Sequence, residues 1–216
     1  AMWRYRPSFT GTVRLFFRLD YLIRADLSRA LALVEGQTEI SKESLSFRSD
    51  SIFPPQYVTL FVADDGRIVD DDGLLEIIQQ PYKAAGCEGA DFNLRPSRWE
   101  RIRESGLYPL GDWNGLCVQV ESAGRKMLAK EVRYEEKAEE KVKKALEELE
   151  LRESQMKTRF ALMGDKLKRE TESAQFALEK ELRQMICEGI GSPETHLDSI
   201  EAIFVSKDNP FENEDT

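Results

Sequence analysis

The sequence predicts an α+β protein, in which a mainly antiparallel sheet carries a long projecting antiparallel helical hairpin, inserted before the last strand. Three observations support this fold class. Residues 126–185 place apolar side chains at heptad spacing within a dense field of Glu, Lys and Arg. Segments with strand-like alternation lie before residue 111. A further strand-like segment, residues 200–205, follows the helical run, which is therefore an insertion.

The charged run contains two apolar stripes that a turn separates. The first stripe consists of Ala138, Val142, Ala145, Leu149, Met156, Phe160 and Met163. The second consists of Leu167, Thr171, Ala174, Leu178, Leu182 and Met185. Gly164 and Asp165 lie between them and predict a tight connection, so we expect the stripes to pair within one chain. Heptad spacing alone also allows pairing between two chains, which would give a dimer.

We expect the first helix of the hairpin to run without a break over residues 126–163, a length of about 57 Å at 1.5 Å per residue. Its exposed faces carry acid-first pairs at i,i+4 spacing, which stabilise a solvated helix. The predicted pairs are Glu139 with Lys143, Glu140 with Lys144, Glu148 with Arg152, and Glu179 with Arg183.

The sequence predicts three regions. Residues 1–111 together with 197–206 form a β-rich domain, residues 112–190 form the hairpin, and residues 207–216 form a frayed acidic tail.

Within the β-rich domain, residues 13–25 predict a long strand that pairs with the last strand. Residues 57–63 predict a second strand, and Asp64-Asp65-Gly66-Arg67 predicts the turn that returns it through residues 68–69. Residues 27–35 fit either a strand or a short helix, and residues 38–48 show weak strand alternation.

Two short helices are also predicted. Residues 74–80 form a helix that Pro81 stops. Ser97-Arg98-Trp99-Glu100 is a capping box, which predicts a helix that ends at Gly106.

Composition excludes several classes of protein. The 216 residues have a formal net charge of −9, so no global field attracts phosphate backbones. Cys87, Cys117 and Cys187 are widely spaced and odd in number, which is typical of thiols in a reducing compartment. With no apolar run of membrane-spanning length and no signal peptide, we expect a cytoplasmic protein without a membrane partner. Because Ala1 precedes Met2, we expect Ala1 to be an added residue and the chain to be a piece of a larger protein.

Residues that could carry chemistry are few, and we predict no catalytic, cofactor-binding or metal-ligating residue. The chain has no phosphate-binding glycine loop. His196 is the only histidine, and we interpret it as structural. The carboxylates of Asp64, Asp65, Asp70, Asp71 and Asp72 are explained by turn and cap chemistry. A magnesium-dependent nuclease that uses residues 70–72 is the open alternative.

Two sets of residues are candidates for macromolecular contacts. The first is a candidate nucleic-acid patch around Trp99, although a solvated helix face explains it as well; it consists of Arg95, Arg98, Arg101 and Arg103. The second lies along the hairpin and at its end, where exposure favours contact with a partner; it consists of Glu139, Lys143, Phe160 and Met163.

Two stretches of the chain resemble a known family. Residues 16–25 read Phe-Phe-Arg-Leu-Asp-Tyr-Leu-Ile-Arg-Ala, and residues 52–62 read Ile-Phe-Pro-Pro-Gln-Tyr-Val-Thr-Leu-Phe-Val before an acidic turn with glycine. The hairpin then leads into residues 197–205, Leu-Asp-Ser-Ile-Glu-Ala-Ile-Phe-Val. In this order they resemble the C-terminal accessory domain of bacterial Swi/Snf-type ATPases, the RapA-like family of RNA polymerase recycling factors. Residues 73–115 have no counterpart in that pattern.

The resemblance implies a non-catalytic domain that regulates or targets an ATP-driven nucleic-acid translocase. ATP and Mg²⁺ would bind the upstream motor and not this chain. Implied partners are the motor domains of the same protein, and RNA polymerase or a protein of a phage-defence system. The alternative is a stand-alone coiled-coil interaction protein without a motor, and reading the gene upstream of Trp3 separates the two.

Overall fold

The fold is α+β, as predicted. A computed structural model describes residues 1–35, 40–83, 89–109, 111–131 and 134–211. The elements in chain order are β1 (Met2–Tyr5), β2 (Arg14–Arg24), α1 (Ser28–Leu33), α2 (Lys42–Ile52), β3 (Gln56–Ala63), α3 (Asp72–Gln79), β4 (Asp91–Asn93), α4 (Pro96–Ser105), α5 (Trp113–Glu131), α6 (Tyr134–Ala161), α7 (Lys166–Gly191) and β5 (Glu194–Ser206).

The strands form one mixed sheet of order β3-β2-β5-β1-β4 that is mainly antiparallel. β5 lies beside β2, which confirms the expected pairing of the last strand with the long early one. β1 runs parallel to β5 and antiparallel to β4. Neither β1 nor β4 was predicted, because they have only four and three residues.

The chain folds into two compact units. Unit 1 comprises Ala1–Tyr21, Val58–Glu131 and Leu197–Thr216. Unit 2 comprises Leu22–Tyr57 and Val132–His196. Residues 22–57 therefore belong to the unit that contains the hairpin.

Unit 1 has a core on each face of the sheet, because neighbouring strand residues point to opposite faces. Phe17 packs on Trp113 of α5, with ring centroids 5.8 Å apart. The adjacent Phe16 lies in the opposite core with Ile78 of α3 and Ile203 of β5. Helices α4 and α5 thus cover one face, and α3 covers the other.

Two arginines are buried in unit 1, at 5% exposure for Arg4 and 2% for Arg6. Arg6 forms an ion pair with the buried Asp91 at 2.7 Å, so each of the two buried charges has a counter-charge. Arg4 donates to the carbonyls of Ile77 and Gln80 at the end of α3. These contacts fasten β1 to β4 and α3.

The turn after β3 and the cap of α3 agree with the sequence. Gly66 has φ +82°, a left-handed conformation that favours glycine. The Ala63 amide donates to the Arg67 carbonyl at 2.8 Å, which closes the turn. Asp71 caps α3 by accepting from the Leu74 amide at 2.8 Å.

The predicted capping box of α4 is wrong, although the helix exists and ends at Gly106. Pro96 occupies the first turn, and the N-cap residue Arg95 makes no side-chain cap bond. Proline suits this position, since the first helical amides lack partners in any case. The helix therefore begins before Ser97.

In unit 2, helices α1 and α2 pack against the hairpin and against each other. The predicted strand alternation over residues 38–48 is wrong for residues 42–48, which lie in α2, and residues 38–39 lie outside the described part of the chain. Ser41 caps α2 by accepting from the Ser44 amide. Of the two interpretations of residues 27–35, the short helix is found. The rings of Phe53 and Tyr134 lie 5.0 Å apart and fasten the end of α2 to the start of α6.

The hairpin of α6 and α7 is found, and its turn is confirmed: Asp165 caps α7 by accepting from the Lys168 amide at 3.1 Å. Of the expected helix over 126–163, residues 126–131 lie in α5 and residues 134–161 lie in α6, while residues 132–133 lie outside the described part of the chain. At 28 and 26 residues, α6 and α7 measure about 40 Å each.

Candidate interaction surfaces

Charged pairs join the two helices of the hairpin. Two predicted pairs exchange partners: Glu148 binds Arg183 and Glu179 binds Arg152, across the hairpin, where the sequence paired Glu148 with Arg152 and Glu179 with Arg183. Charges spaced for one helix can thus reach the neighbouring helix when the two lie side by side. The four interhelical pairs are Arg152–Glu179 at 2.8 Å, Arg183–Glu148 at 2.9 Å, Lys180–Glu153 at 2.6 Å and Arg159–Glu172 at 2.9 Å.

Glu153 receives two ammonium groups, from Lys180 on α7 and from Lys157 on its own helix. The hydrogen bond from Lys180, followed by that from Lys157, lowers the pKa of the Glu153 carboxyl. The carboxylate therefore stays ionised under acidic conditions that neutralise an ordinary glutamate.

The buried members of the apolar stripes lie between the base and the middle of the hairpin. Ala145 and Leu149 of α6 are buried, as is Leu182 of α7. In the first turns of α7, Thr171 and Ala174 of the predicted stripe are exposed. In these turns Glu172 forms an ion pair with Arg159 of α6 at 2.9 Å.

The tip of the hairpin, residues 160–167, exposes large apolar side chains. Leu162 is 83% exposed and Leu167 is 76% exposed. Both flank the turn that Asp165 caps, so the backbone holds them in defined positions. Ordered, exposed leucines are typical of a surface that another molecule covers.

The predicted hairpin contacts lie at two separate places. Glu139 and Lys143 are exposed near the start of α6. Phe160 and Met163 are half-buried at the tip, where the Met163 amide donates to the Phe160 carbonyl at 3.2 Å. The helix between Glu139 and Phe160 separates the two places by about 30 Å. A single contact site does not contain all four.

The four members of the predicted arginine patch fall into two groups, one that lies over aromatic rings and one that is exposed. The Arg98 guanidinium lies over the rings of Phe92 and Phe211, at 5.2 and 5.3 Å from their centroids. Arg101 lies 5.8 Å from the centroid of Phe211. These cations thus stabilise the aromatic core of unit 1. The other two members, Arg95 and Arg103, are exposed.

A cavity of about 570 Å³ opens beside α4. Its lining, as far as the described residues go, is Trp99, Arg103, Gly111 and Trp113. The two indole rings meet edge to face, with centroids 5.1 Å apart and planes at 75°. Both side chains are half-buried, so part of each ring faces the cavity. A volume of this size falls within the roughly 300–1,000 Å³ of small-ligand pockets.

Three of the five clustered aspartates, Asp64, Asp65 and Asp71, have structural partners. Asp65 accepts from the Arg67 amide at 3.0 Å, and Asp64 accepts from the Tyr108 hydroxyl. Burial and the Asp64 carboxylate raise the pKa of Tyr108. Across the described ranges, no group of three or more metal-ligating side chains comes together.

The remaining reactive residues are dispersed. His196 lies in β5 with its Nε2 3.0 Å from a Glu194 carboxylate oxygen. Cys187 is buried and Cys117 is half-buried; burial raises the pKa of both thiols, which makes them poor nucleophiles. Cys87 lies outside the described residues.

Asp20 of β2 joins three neighbouring strands of unit 1. It accepts from Thr59 of β3 at 2.6 Å, from Ser199 of β5 at 2.7 Å and from Arg18 at 3.1 Å. Burial tends to raise the pKa of Asp20, but these hydrogen bonds outweigh it and lower the pKa. Both hydroxyls donate to an ionised carboxylate, an arrangement that supports the sheet.

Comparison with known proteins gives no family for this chain: no protein-family model matches it, and no curated protein is significantly similar to it. Over the residues that the structure describes, none of the helices has the length and apolar character needed to cross a bilayer.

Sequence reasoning did not single out Leu162, Trp113 or the interhelical pairs. Leu162 lies outside the heptad stripe, but an apolar residue beside a predicted turn is itself a signal of a contact surface. Trp99 and Arg103 are four residues apart, so they lie on the same face of a helix. The prediction of α4 from the sequence was enough to infer this. Trp113 reaches that face only through the fold.

Proposed function

We propose that the chain is a non-catalytic accessory domain that binds a protein partner through the tip of its hairpin. The observation that carries the proposal is the pair of exposed leucines, Leu162 and Leu167, held at the end of an ordered hairpin. Because the Asp165 cap and the amide hydrogen bonds of Leu162 and Met163 already fix the backbone of the tip, binding there loses little backbone entropy, which favours affinity from a small surface.

The stem supports this role because it is long and cross-linked by charge. Four ion pairs join α6 to α7, from Glu148–Arg183 near the middle of the hairpin to Arg159–Glu172 close to the tip. Each exposed pair contributes little to stability, roughly 0.2–1 kcal/mol, but a series of them fixes the register of the two helices. The stem can therefore transmit a force or a position along its length.

The proposed partner is the motor of a bacterial Swi/Snf-type translocase, because the sequence resembles the C-terminal accessory domain of that family. The motor would bind ATP and Mg²⁺, and the domain would regulate it or target it to RNA polymerase or to a phage-defence complex. A cytoplasmic location is part of the same proposal, because Cys117 and Cys187 are free thiols.

The test is binding of the chain to the motor region encoded upstream of Trp3, measured by calorimetry together with the ATPase rate. The tip variant combines Leu162→Asp with Leu167→Asp. Leu151→Asp is the matched control, since this leucine of α6 is 62% exposed but lies outside the tip. Burial of one leucine is worth about 1.5–3 kcal/mol. The tip variant should therefore lower affinity by roughly a hundredfold or more, and the control should bind as the parent does.

Equal affinities of parent and tip variant for the motor would refute docking through the tip. An upstream reading frame without a phosphate-binding loop and helicase core would refute the motor itself.

A stand-alone coiled-coil protein is the second candidate, favoured by the exposed part of the α7 stripe. Leu167, Thr171 and Ala174 keep heptad spacing and are exposed to solvent. A second copy could cover them. Sedimentation equilibrium decides this: a dimer that Ala174→Glu dissociates supports self-association, and a monomer at all concentrations refutes it.

A further inference from the structure

The cavity between Trp99 and Trp113 combines aromatic rings with a cation. Indole rings form two of its walls at 75° to each other, and the Arg103 side chain forms another. Aromatic rings stack with planar ligands, and guanidinium groups bind anionic oxygens. A ligand that uses both kinds of wall has a planar apolar part attached to an anion.

The charge of Arg103 is available to such a ligand. Arg98 and Arg101 are engaged with phenylalanine rings, whereas Arg103 is exposed and has no ion-pair partner among the described residues. Arg103 also lies one helical turn after Trp99, on the same face of α4. The cation is therefore held beside the ring and not at random on the surface.

We propose that this cavity binds single-stranded nucleic acid, with an unpaired base against Trp99 and Trp113 and the adjacent phosphate on Arg103. Stacking on aromatic rings beside a positive groove is how single strands are held without sequence preference. A duplex does not fit this site, because its bases are stacked on each other and none is free to lie against the indole rings. A quaternary ammonium ligand is excluded as the favoured occupant, since Arg103 would repel it.

The proposal does not rest on the hairpin or on its partner. The cavity lies wholly within unit 1, and the tip leucines lie in unit 2. The tip variant Leu162→Asp with Leu167→Asp should therefore bind nucleic acid as the parent does.

Indole fluorescence provides the readout. The chain has three tryptophans, and the third, Trp3, is fully buried, so quenching by an added ligand reports on Trp99 and Trp113. The probe is an oligothymidylate of about ten nucleotides, added to the whole chain at several salt concentrations. We expect saturable quenching whose affinity falls with salt, by a log–log slope of about −0.7 for each phosphate that is neutralised.

Arg103→Gln should remove about 0.7 from that slope and weaken binding, because it deletes one phosphate contact. Arg95→Gln is the matched control, since this exposed arginine precedes α4 and does not line the cavity. Trp99→Leu should weaken binding roughly five- to hundredfold, the loss of one stacked base, and Trp99→Phe should retain most of the affinity. The conservative variant keeps the test valid if Trp99→Leu impairs folding, because Trp99 also packs on Phe204.

Three results would overturn the proposal: no quenching at millimolar oligonucleotide, equal slopes for Arg103→Gln and the parent, or saturable quenching by a proline-rich peptide in place of the oligonucleotide. The last would identify the cavity as a peptide groove.

Discussion

Gly189 of α7 lies where the helix backbone touches another segment of unit 2. A methyl group at this position would lie 2.0 Å from the Asp26 carbonyl oxygen, and the Asp26 amide donates to the Gly189 carbonyl at 3.0 Å. Ordinary contact begins at 3.4 Å, so Gly189→Ala forces one backbone to move by about 1.4 Å. Neither backbone can rotate away as a side chain would.

The expected cost follows from these contacts. Overpacking costs about 1–3 kcal/mol, and losing the Asp26 hydrogen bond costs about 0.5–1.5 kcal/mol more. Alanine returns up to about 1 kcal/mol through its better helix propensity. The net loss of unfolding free energy is therefore roughly 0.5–4.5 kcal/mol.

Gly191 is the matched control, since nothing lies within 4 Å of a methyl group built there. Gly191→Ala is the same change of residue type as Gly189→Ala, but it should stabilise the chain, by up to about 1 kcal/mol. Urea unfolding, followed by helical circular dichroism, measures both variants. Opposite signs are expected; equal effects, or a stabilised Gly189→Ala chain, would refute the close approach of α7 to Asp26.

Three further predictions test the cap, the sheet and the stem. Asp165→Ala removes the α7 cap and should lower the free energy of unfolding, measured in urea, by about 1 kcal/mol. Asp165→Asn should keep most of the stability that the cap contributes. The pKa of Asp20 is lower in the folded than in the unfolded protein, so the stability that its carboxylate contributes is present at neutral pH and is lost as the pH falls below the unfolded pKa of about 3.9. Asp20→Asn should therefore destabilise the protein at neutral pH and make its stability fall less steeply in acid. An unchanged fall in acid would contradict the lowered pKa. A double-mutant cycle on Glu148 and Arg183 should give a coupling of about 0.2–1 kcal/mol that salt weakens, and a larger coupling of Glu148 to Arg152 would contradict pairing across the hairpin.

Sequence periodicity predicted the hairpin but not its contact face along the whole length. The heptad stripe is correct near the base, where Leu149 and Leu182 are buried. Towards the tip, Arg159 and Glu172 pair across the helices and the apolar Leu167 is exposed. Periodicity locates an apolar face, but it does not distinguish a face that packs internally from one that faces outward.

Buried arginines explain why β1 and β4 were missed. Hydrophobicity alone places Arg4 and Arg6 at the surface, yet both are buried because Asp91 and the end of α3 supply their partners. Those partners lie more than 70 residues away in the chain. A sequence pattern within a short window carries no information on pairs so far apart in the chain. It therefore does not predict the strands that these pairs stabilise. α2 was missed for the related reason that its few apolar residues gain their stability from packing on the hairpin.

The arginines of α4 show how one cluster in the sequence serves two purposes in the fold. Arg98 and Arg101 lie over the rings of Phe92 and Phe211, so their charges stabilise the core of unit 1. Arg103 is turned instead towards the cavity that Trp99 lines. Four arginines in the sequence would predict four phosphate contacts and a steep salt dependence. The structure leaves one beside the aromatic walls, so a shallow slope that Arg103→Gln alone reduces is the expected signature of this surface.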